Sequence, residues 1–470
     1  MIWLGLAALT LARLVVAGTT ELSPDEAYYW VWSRALAPGY LDHPPMVALW
    51  IRAGTALAGQ GALGVRLLAP LSAALGSVLL AGAANDLFPE RRPGVIAAGL
   101  LNATLLMGAG AVTMTPDTPL LFFWTAALWA LGRLLRTGNG RWWLVFGAAC
   151  GAALASKYTA FLLGGGVALW LLADPVGRSW LRRPWPWAGG IVASLLFAPV
   201  LAWNAAHGWA SFVKQGGRIG DWQPAQAFQH VGELLGGQLG LATPLVFVAC
   251  VVGIWAASRA ALQRHSADAV LAALTLPGAL LFVQHALGDR VQANWPAILY
   301  PAACIAASVY AQRFVRPACI VGFAVTAVVY IQAEGAFALP RRLDPTLVRL
   351  GGWTALTRDV ARSAAGVAFV AADNYGLASV LARGLTIETV GLDPRWSLFA
   401  LLRATPAAPG LLVRSLRRGD PPNAALWDSM TPLGTVQRAR NGVVAEEYAL
   451  YRVVPRPGIP AGVRLPHPGD

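Results

Sequence analysis

Ser23-Pro24-Asp25-Glu26-Ala27-Tyr28-Tyr29-Trp30, followed by Gly39-Tyr40-Leu41-Asp42-His43-Pro44-Pro45-Met46, is a polar and aromatic passage set between two apolar runs, 2–18 and 64–85. Each run approaches the roughly 20 residues needed to cross a bilayer. The passage therefore reads as a long loop, 19–63, at one membrane face. Its position suggests a polytopic membrane protein, and the rest of the chain agrees. Of 470 residues, 56% are hydrophobic and 13% charged, against about 25% charged in soluble domains.

Further apolar runs lie near 94–112, 119–135, 142–156, 158–174, 186–203, 236–257, 268–286, 295–312 and 317–335, for about eleven spans in all. The net charge of +13 is carried almost wholly by arginine, and Lys157 and Lys214 are the two lysines. The arginines collect in alternate short loops: Arg91 and Arg92; Arg133, Arg136 and Arg141; Arg178, Arg182 and Arg183; Arg259 and Arg264; Arg313 and Arg316. This distribution excludes a basic nucleic-acid face and makes those loops cytoplasmic. The N-terminus is then inside, and the acid-bearing loops and the C-terminal region are outside. The first span lacks a basic leader and a cleavage site and reads as retained. Cys150, Cys250, Cys304 and Cys319 all sit in apolar stretches, without metal-ligand spacing or a disulfide framework.

Past residue 336 the hydropathy falls. Residues 366–371, 385–390, 411–416 and 443–454 alternate as strands, with a helix over 375–383. The expected fold is an all-α polytopic membrane domain, 1–335, followed by a small α/β extracytoplasmic domain, 336–470. No internal repeat is visible, which disfavours a transporter built from repeats.

The outer-face residues admit two readings. Ser23, Pro24 and Glu26 form a capping box, and Asp25 suits the positive end of a helix dipole. A carboxylate on that first turn is also held well enough to take a proton from a hydroxyl. Asp117, in Thr115-Pro116-Asp117-Thr118, repeats the pattern, with Thr115 as N-cap. Lys157, in Ser156-Lys157-Tyr158-Thr159, is a charge flanked by apolar residues and suits a phosphate; a lysine snorkelling from a span end is the plain alternative. His43 is either a phosphate donor or part of a re-entry turn for an interfacial helix over 46–57. Lys214 and Arg218 lie in a wetter loop.

These motifs, with Trp203-Asn204, His207-Gly208-Trp209 and Asn294-Trp295-Pro296, occur in order over residues 24–300. As a set they resemble bacterial GT-C glycosyltransferases of the protein-mannosyltransferase and aminoarabinose-transferase-like group, including the lipopolysaccharide galacturonosyltransferase-like domain. The resemblance implies an inverting, polyprenyl-phosphate-sugar-dependent transferase of the inner membrane. Its acceptor would be an envelope glycan, lipid or protein. Asp25 is then the general base, with Glu26 and Asp117 in the same cavity. Lys157, His43 and Arg218 would bind the donor phosphate. Asp42, Tyr28, Tyr40, Tyr158, Lys214 and Asn294 would line the substrate cavity. Histidine at position 43 follows the protein-mannosyltransferase pattern, where aminoarabinose transferases carry lysine, and this leaves the donor sugar open. No cofactor is called for: the acids could bind a divalent metal, but no ligand spacing demands one. The rival readings are a lipid-linked sugar flippase or a non-catalytic carrier-binding subunit.

The arginine alternation predicts that a reporter active only after export gives signal when fused after Gly351. Activity of a cytoplasm-only reporter at that position would overturn the assigned orientation.

Overall fold

The computed structural model describes residues 2–216, 224–460 and 462–469. The chain divides into two compact units, both discontinuous. The first comprises Met1–Leu14, Pro38–Val47 and Leu68–Ala327; the second comprises Val15–Ala37, Ala48–Leu67 and Val328–Asp470.

Among the described residues, six helices are long and apolar enough to cross a membrane: Ala62–Leu87, Asp117–Thr137, Pro184–Ala206, Pro244–Leu262, Ser266–Ala286 and Gln312–Ala333. Two bent pairs, Trp3–Thr19 with Pro24–Arg34 (86°) and Tyr158–Ala173 with Pro175–Leu181 (102°), raise the number to at most eight. Eleven is therefore not the number found, and the differences have local causes. The run 94–112 breaks into Gly94–Asn102 and Leu105–Gly110, because Thr104 stops the first helix and caps the second through Met107 N (3.0 Å). The run 236–257 is cut before Pro244, which opens a new helix. The helices Trp142–Leu154 and Trp295–Tyr310 are apolar but short.

Helices of the first unit approach closely where neither presents a side chain, as expected when apolar lipid gives helices little reason to associate except packing. A Cβ on Gly147 would lie 2.1 Å from Gly189 O. Polar side chains within this unit are satisfied across helices: Arg13 Nη1 donates to Asn102 Oδ1 (2.8 Å), and Asn102 Nδ2 donates to Ser77 Oγ (2.8 Å).

The second unit is built on a seven-stranded sheet: β1 Phe369–Ala372, β2 Glu388–Gly391, β3 Arg403–Ala404, β4 Gly410–Ser415, β5 Trp427–Arg440, β6 Val443–Pro455 and β7 Gly462–Arg464. Their order is β3-β7-β2-β1-β4-β6-β5. β1 runs parallel to β2 on one side and to β4 on the other, with the helix Tyr375–Gly384 crossing over from β1 to β2. Phe369, Val390, Leu412, Trp427 and Val453 form its core. The long strand β5 was not expected. Pro432, Gly434 and three register shifts interrupt its alternation, and most of it is exposed at the sheet edge.

The early segments of this unit are held by polar contacts. Glu21 caps the helix Trp353–Ser363, accepting from Trp353 N at 2.9 Å and Thr354 N at 2.8 Å. Arg66 and Glu26, both wholly buried, pair at 2.6 and 2.7 Å. Arg66 also donates to Ala17 O, Thr20 O, Thr20 Oγ1 and Glu21 O.

Removing one partner of a buried pair strands the other charge. Arg66→Met should therefore cost about 3–5 kcal/mol, read as an earlier thermal unfolding transition of the detergent-solubilised protein. An unshifted transition would show that the pair is dispensable.

Candidate functional site

In the first unit, charged and polar side chains gather at the ends of membrane helices. Asp117 begins the helix Asp117–Thr137, with Pro116 as N-cap and no side-chain cap bond. The expected Thr115 cap is not formed. Thr118 Oγ1 instead takes a hydrogen bond from Thr115 N (3.2 Å) and donates to Thr113 O (3.1 Å), closing the turn. Asp117 Oδ1 receives Lys157 Nζ at 2.7 Å, and its Oδ2 receives Asn294 Nδ2 at 2.7 Å. Lys157 is 7% exposed, so its ammonium is held by a partner rather than reaching out to water.

A second group of the first unit centres on Asp42. Met46 N donates to Ala155 O (3.0 Å), tying the Asp42-His43-Pro44-Pro45 turn to the residues just before Lys157. His43 O accepts from Tyr40 N (3.3 Å), and the Tyr40 side chain is buried. Lys214 Nζ meets Asp42 Oδ1 at 2.5 Å, and Gln215 Nε2 donates to Asp42 O at 2.7 Å. Tyr158 Oη bonds Ser211 Oγ (2.8 Å) and accepts from Asn204 Nδ2 (3.3 Å). Gly39 is needed where it stands, since a Cβ there would lie 2.9 Å from the Trp203 ring. Trp203 in turn stacks on His207 at 4.2 Å. Arg218 lies outside the described residues.

In the second unit, Ser23 and Glu26 form the capping box in full: Ser23 N and Oγ both donate to Glu26 Oε2 at 2.9 Å, and Glu26 N donates to Ser23 Oγ at 3.3 Å. With Arg66 on both carboxylate oxygens as well, Glu26 is wholly buried. Asp25, one residue earlier and half-buried, points elsewhere and accepts from Tyr375 Oη at 3.2 Å. Successive helical residues diverge by about 100°, which separates the two acids. Tyr28 packs in an aromatic group with Tyr375, Trp396 and Phe399. Arg383 lies over Trp30 at 4.5 Å and donates to Gln60 O at 2.6 Å; burial pushes its guanidinium down to about 10.

Each unit thus gathers its own expected residues. Asp117, Lys157 and Asn294 form one set, Asp42 and Lys214 another, and Asp25 stands with Tyr28. Arg66, Tyr375 and Arg395 were not expected. Arg66 falls at the start of the apolar run 64–85, and nothing in the local pattern linked it to Glu26 or Tyr375 to Asp25. Among the described residues, no three His, Cys, Asp or Glu side chains are grouped as metal ligands.

Residues 42–203 match the family model described as dolichyl-phosphate-mannose-protein mannosyltransferase. The chain is 33% identical over 310 residues to the lipid A galacturonosyltransferase RgtD of Rhizobium johnstonii, and the alignment spans 63% of this chain and 63% of that protein. Its fold is that of ArnT from Cupriavidus metallidurans. The TM-score is 0.62 to the apo structure (18% identity) and 0.64 to the structure bound to undecaprenyl phosphate (17% identity), with 96% of this chain and 97% of the other covered in both cases. The chain therefore has the GT-C fold.

A double-mutant cycle over Asp117 and Lys157 should give a coupling of roughly 1–3 kcal/mol in thermal unfolding, because the two groups touch in a largely buried setting. Additive single-site effects would show that the pair contributes nothing.

Proposed function

We propose that this chain, whose residues 42–203 match the mannosyltransferase family and whose fold is that of ArnT, is an inner-membrane glycosyltransferase. It would take a sugar from an undecaprenyl-phosphate-type donor and pass it to a saccharolipid of the lipid A class at the extracytoplasmic face. The observation that carries this reading is the Lys157–Asp117–Asn294 set. A lysine at a membrane-helix end, 7% exposed and aimed by a carboxylate, suits a lipid phosphate. The acceptor is inferred from RgtD, and the donor from the ArnT structure that holds undecaprenyl phosphate.

The chemistry asks little of the protein. A polyprenyl phosphate is already a fair leaving group, so no strong general acid is needed. The acceptor hydroxyl attacks the anomeric carbon, the bond from that carbon to the phosphate oxygen breaks, and the configuration inverts. The hydroxyl proton passes to Asp25, and the departing polyprenyl phosphate carries away the bonding pair. Positive charge is needed where that phosphate forms. Lys157 supplies it, with His43 and Arg218 as further donors, while Asp117 and Asn294 hold the lysine in place. Glu26 stays a structural anion paired with Arg66.

The test is sugar transfer in proteoliposomes from a radiolabelled undecaprenyl-phosphate sugar to lipid A. Asp25→Asn should lower turnover by roughly a hundredfold or more with little loss of stability. Lys157→Ala should weaken undecaprenyl-phosphate binding by about 1.5–3 kcal/mol. Label that crosses the membrane without being transferred would make the protein a flippase. Normal turnover by Asp25→Asn would remove Asp25 as the base.

A further inference from the structure

Asp25 is met by an atom from far along the chain. Tyr375 Oη donates to its Oδ1 at 3.2 Å, across 350 positions. Tyr375 is no casual neighbour. It opens the helix that follows β1, where Asn374 Oδ1 caps Leu377 N at 3.0 Å and sets the direction of the first turn. Its ring is held by two flanking groups: the Arg395 guanidinium lies 3.7 Å from the ring centroid, and the Tyr28 ring lies 4.5 Å away. Arg395 is itself fixed by Asp393, with Nε to Oδ1 at 3.1 Å. At the next residue the helix backbone lies against the Pro24 ring, because a Cβ on Gly376 would lie 2.8 Å from Pro24 Cβ.

We propose that Tyr375 is a positioning residue for Asp25. The hydroxyl fixes the direction of the carboxylate and favours its ionised, proton-accepting form, since a hydrogen bond given to a carboxylate stabilises the charged state. The C-terminal domain then works in the reaction and is more than an appendage. This rests on the assignment of Asp25 as base made above.

The other charged groups on the elements packed around Asp25 in this unit are Glu26, Arg34, Arg383, Asp393, Arg395 and Asp373, and the three acids are in ion pairs. Glu26 is held by Arg66, with Arg383 close enough to feel its charge. Asp393 is held by Arg395, and Asp373, after β1, by Arg414 and Arg418. Removing the Tyr375 hydroxyl therefore alters the hydrogen bonding of Asp25 without removing a charge.

The experiment compares the full-length wild type with Tyr375→Phe and Phe399→Leu in proteoliposomes, measuring kcat, donor KM and the pH dependence of kcat/KM, with thermal unfolding alongside. Phe399→Leu loosens the same aromatic group through Trp396 and Tyr28. Tyr375→Phe should lower kcat roughly tenfold, leave donor KM unchanged, and move the acid limb of the profile up by about one pH unit. Phe399→Leu should lower the unfolding temperature and move neither limb. A wild-type profile for Tyr375→Phe, or a loss of rate that only tracks lost stability as in Phe399→Leu, overturns the proposal. If Asp25→Asn is inactive while Tyr375→Phe behaves as wild type, the positioning role alone fails. If Asp25→Asn is active, the base assignment fails and this role with it.

Discussion

The arrangement around the helix Pro24–Arg34 depends on one buried ion pair. Taking a guanidinium and a carboxylate out of water is costly, and their attraction offsets that cost only when the remaining donors and acceptors are also satisfied. Here they are. Arg66 places its donors on both oxygens of Glu26 and on the carbonyls of Ala17, Thr20 and Glu21, at the end of the first apolar helix. Those carbonyls lack onward helical partners, so one side chain closes the end of one helix, fixes the start of the next and anchors the segment that contains itself. The direction in which Pro24–Arg34 leaves the membrane helix follows from this.

The pair also divides the work of two adjacent acids. Glu26 faces Arg66 and is consumed by structure, while Asp25, a helical step away, faces Tyr375. A protein that needs one carboxylate held rigidly and its neighbour able to accept a proton can obtain both from consecutive positions, because the helix turns them apart. In the first unit the same economy appears with opposite charge. Asp117 spends both oxygens, one on Lys157 and one on Asn294, to hold a cation in place.

Much of this was legible in the residues. The capping box at Ser23 and Glu26, the helix over 375–383 and four of the strands were readable because each is set by neighbours in sequence. The isolation of Lys157 marked it as unusual, although its partner Asp117, 40 positions away, was not read from the sequence. What escaped was non-local or irregular. Hydropathy does not register a single Thr104 that divides an apolar run, so the eleven runs are not each matched by one long helix among the described residues. Strand β5 hid behind its bulges and its exposure. Arg66 and Tyr375 could not be assigned, since nothing near them in sequence says what they meet.

The contact between Tyr375 and Asp25 also has a consequence in time. A ribosome delivers Pro24–Arg34 well before its partners, since Tyr375 comes 350 positions after Asp25. At synthesis rates of about 5–20 residues per second, the early helix waits roughly 20–70 s for its partners. During that interval Tyr28, Trp30 and Trp32, all buried in the finished protein, have only nearby segments and lipid to cover them. The membrane surface would then act as a temporary companion for this helix. A nascent chain halted before residue 375 would carry Asp25 but lack the hydroxyl that donates to its carboxylate.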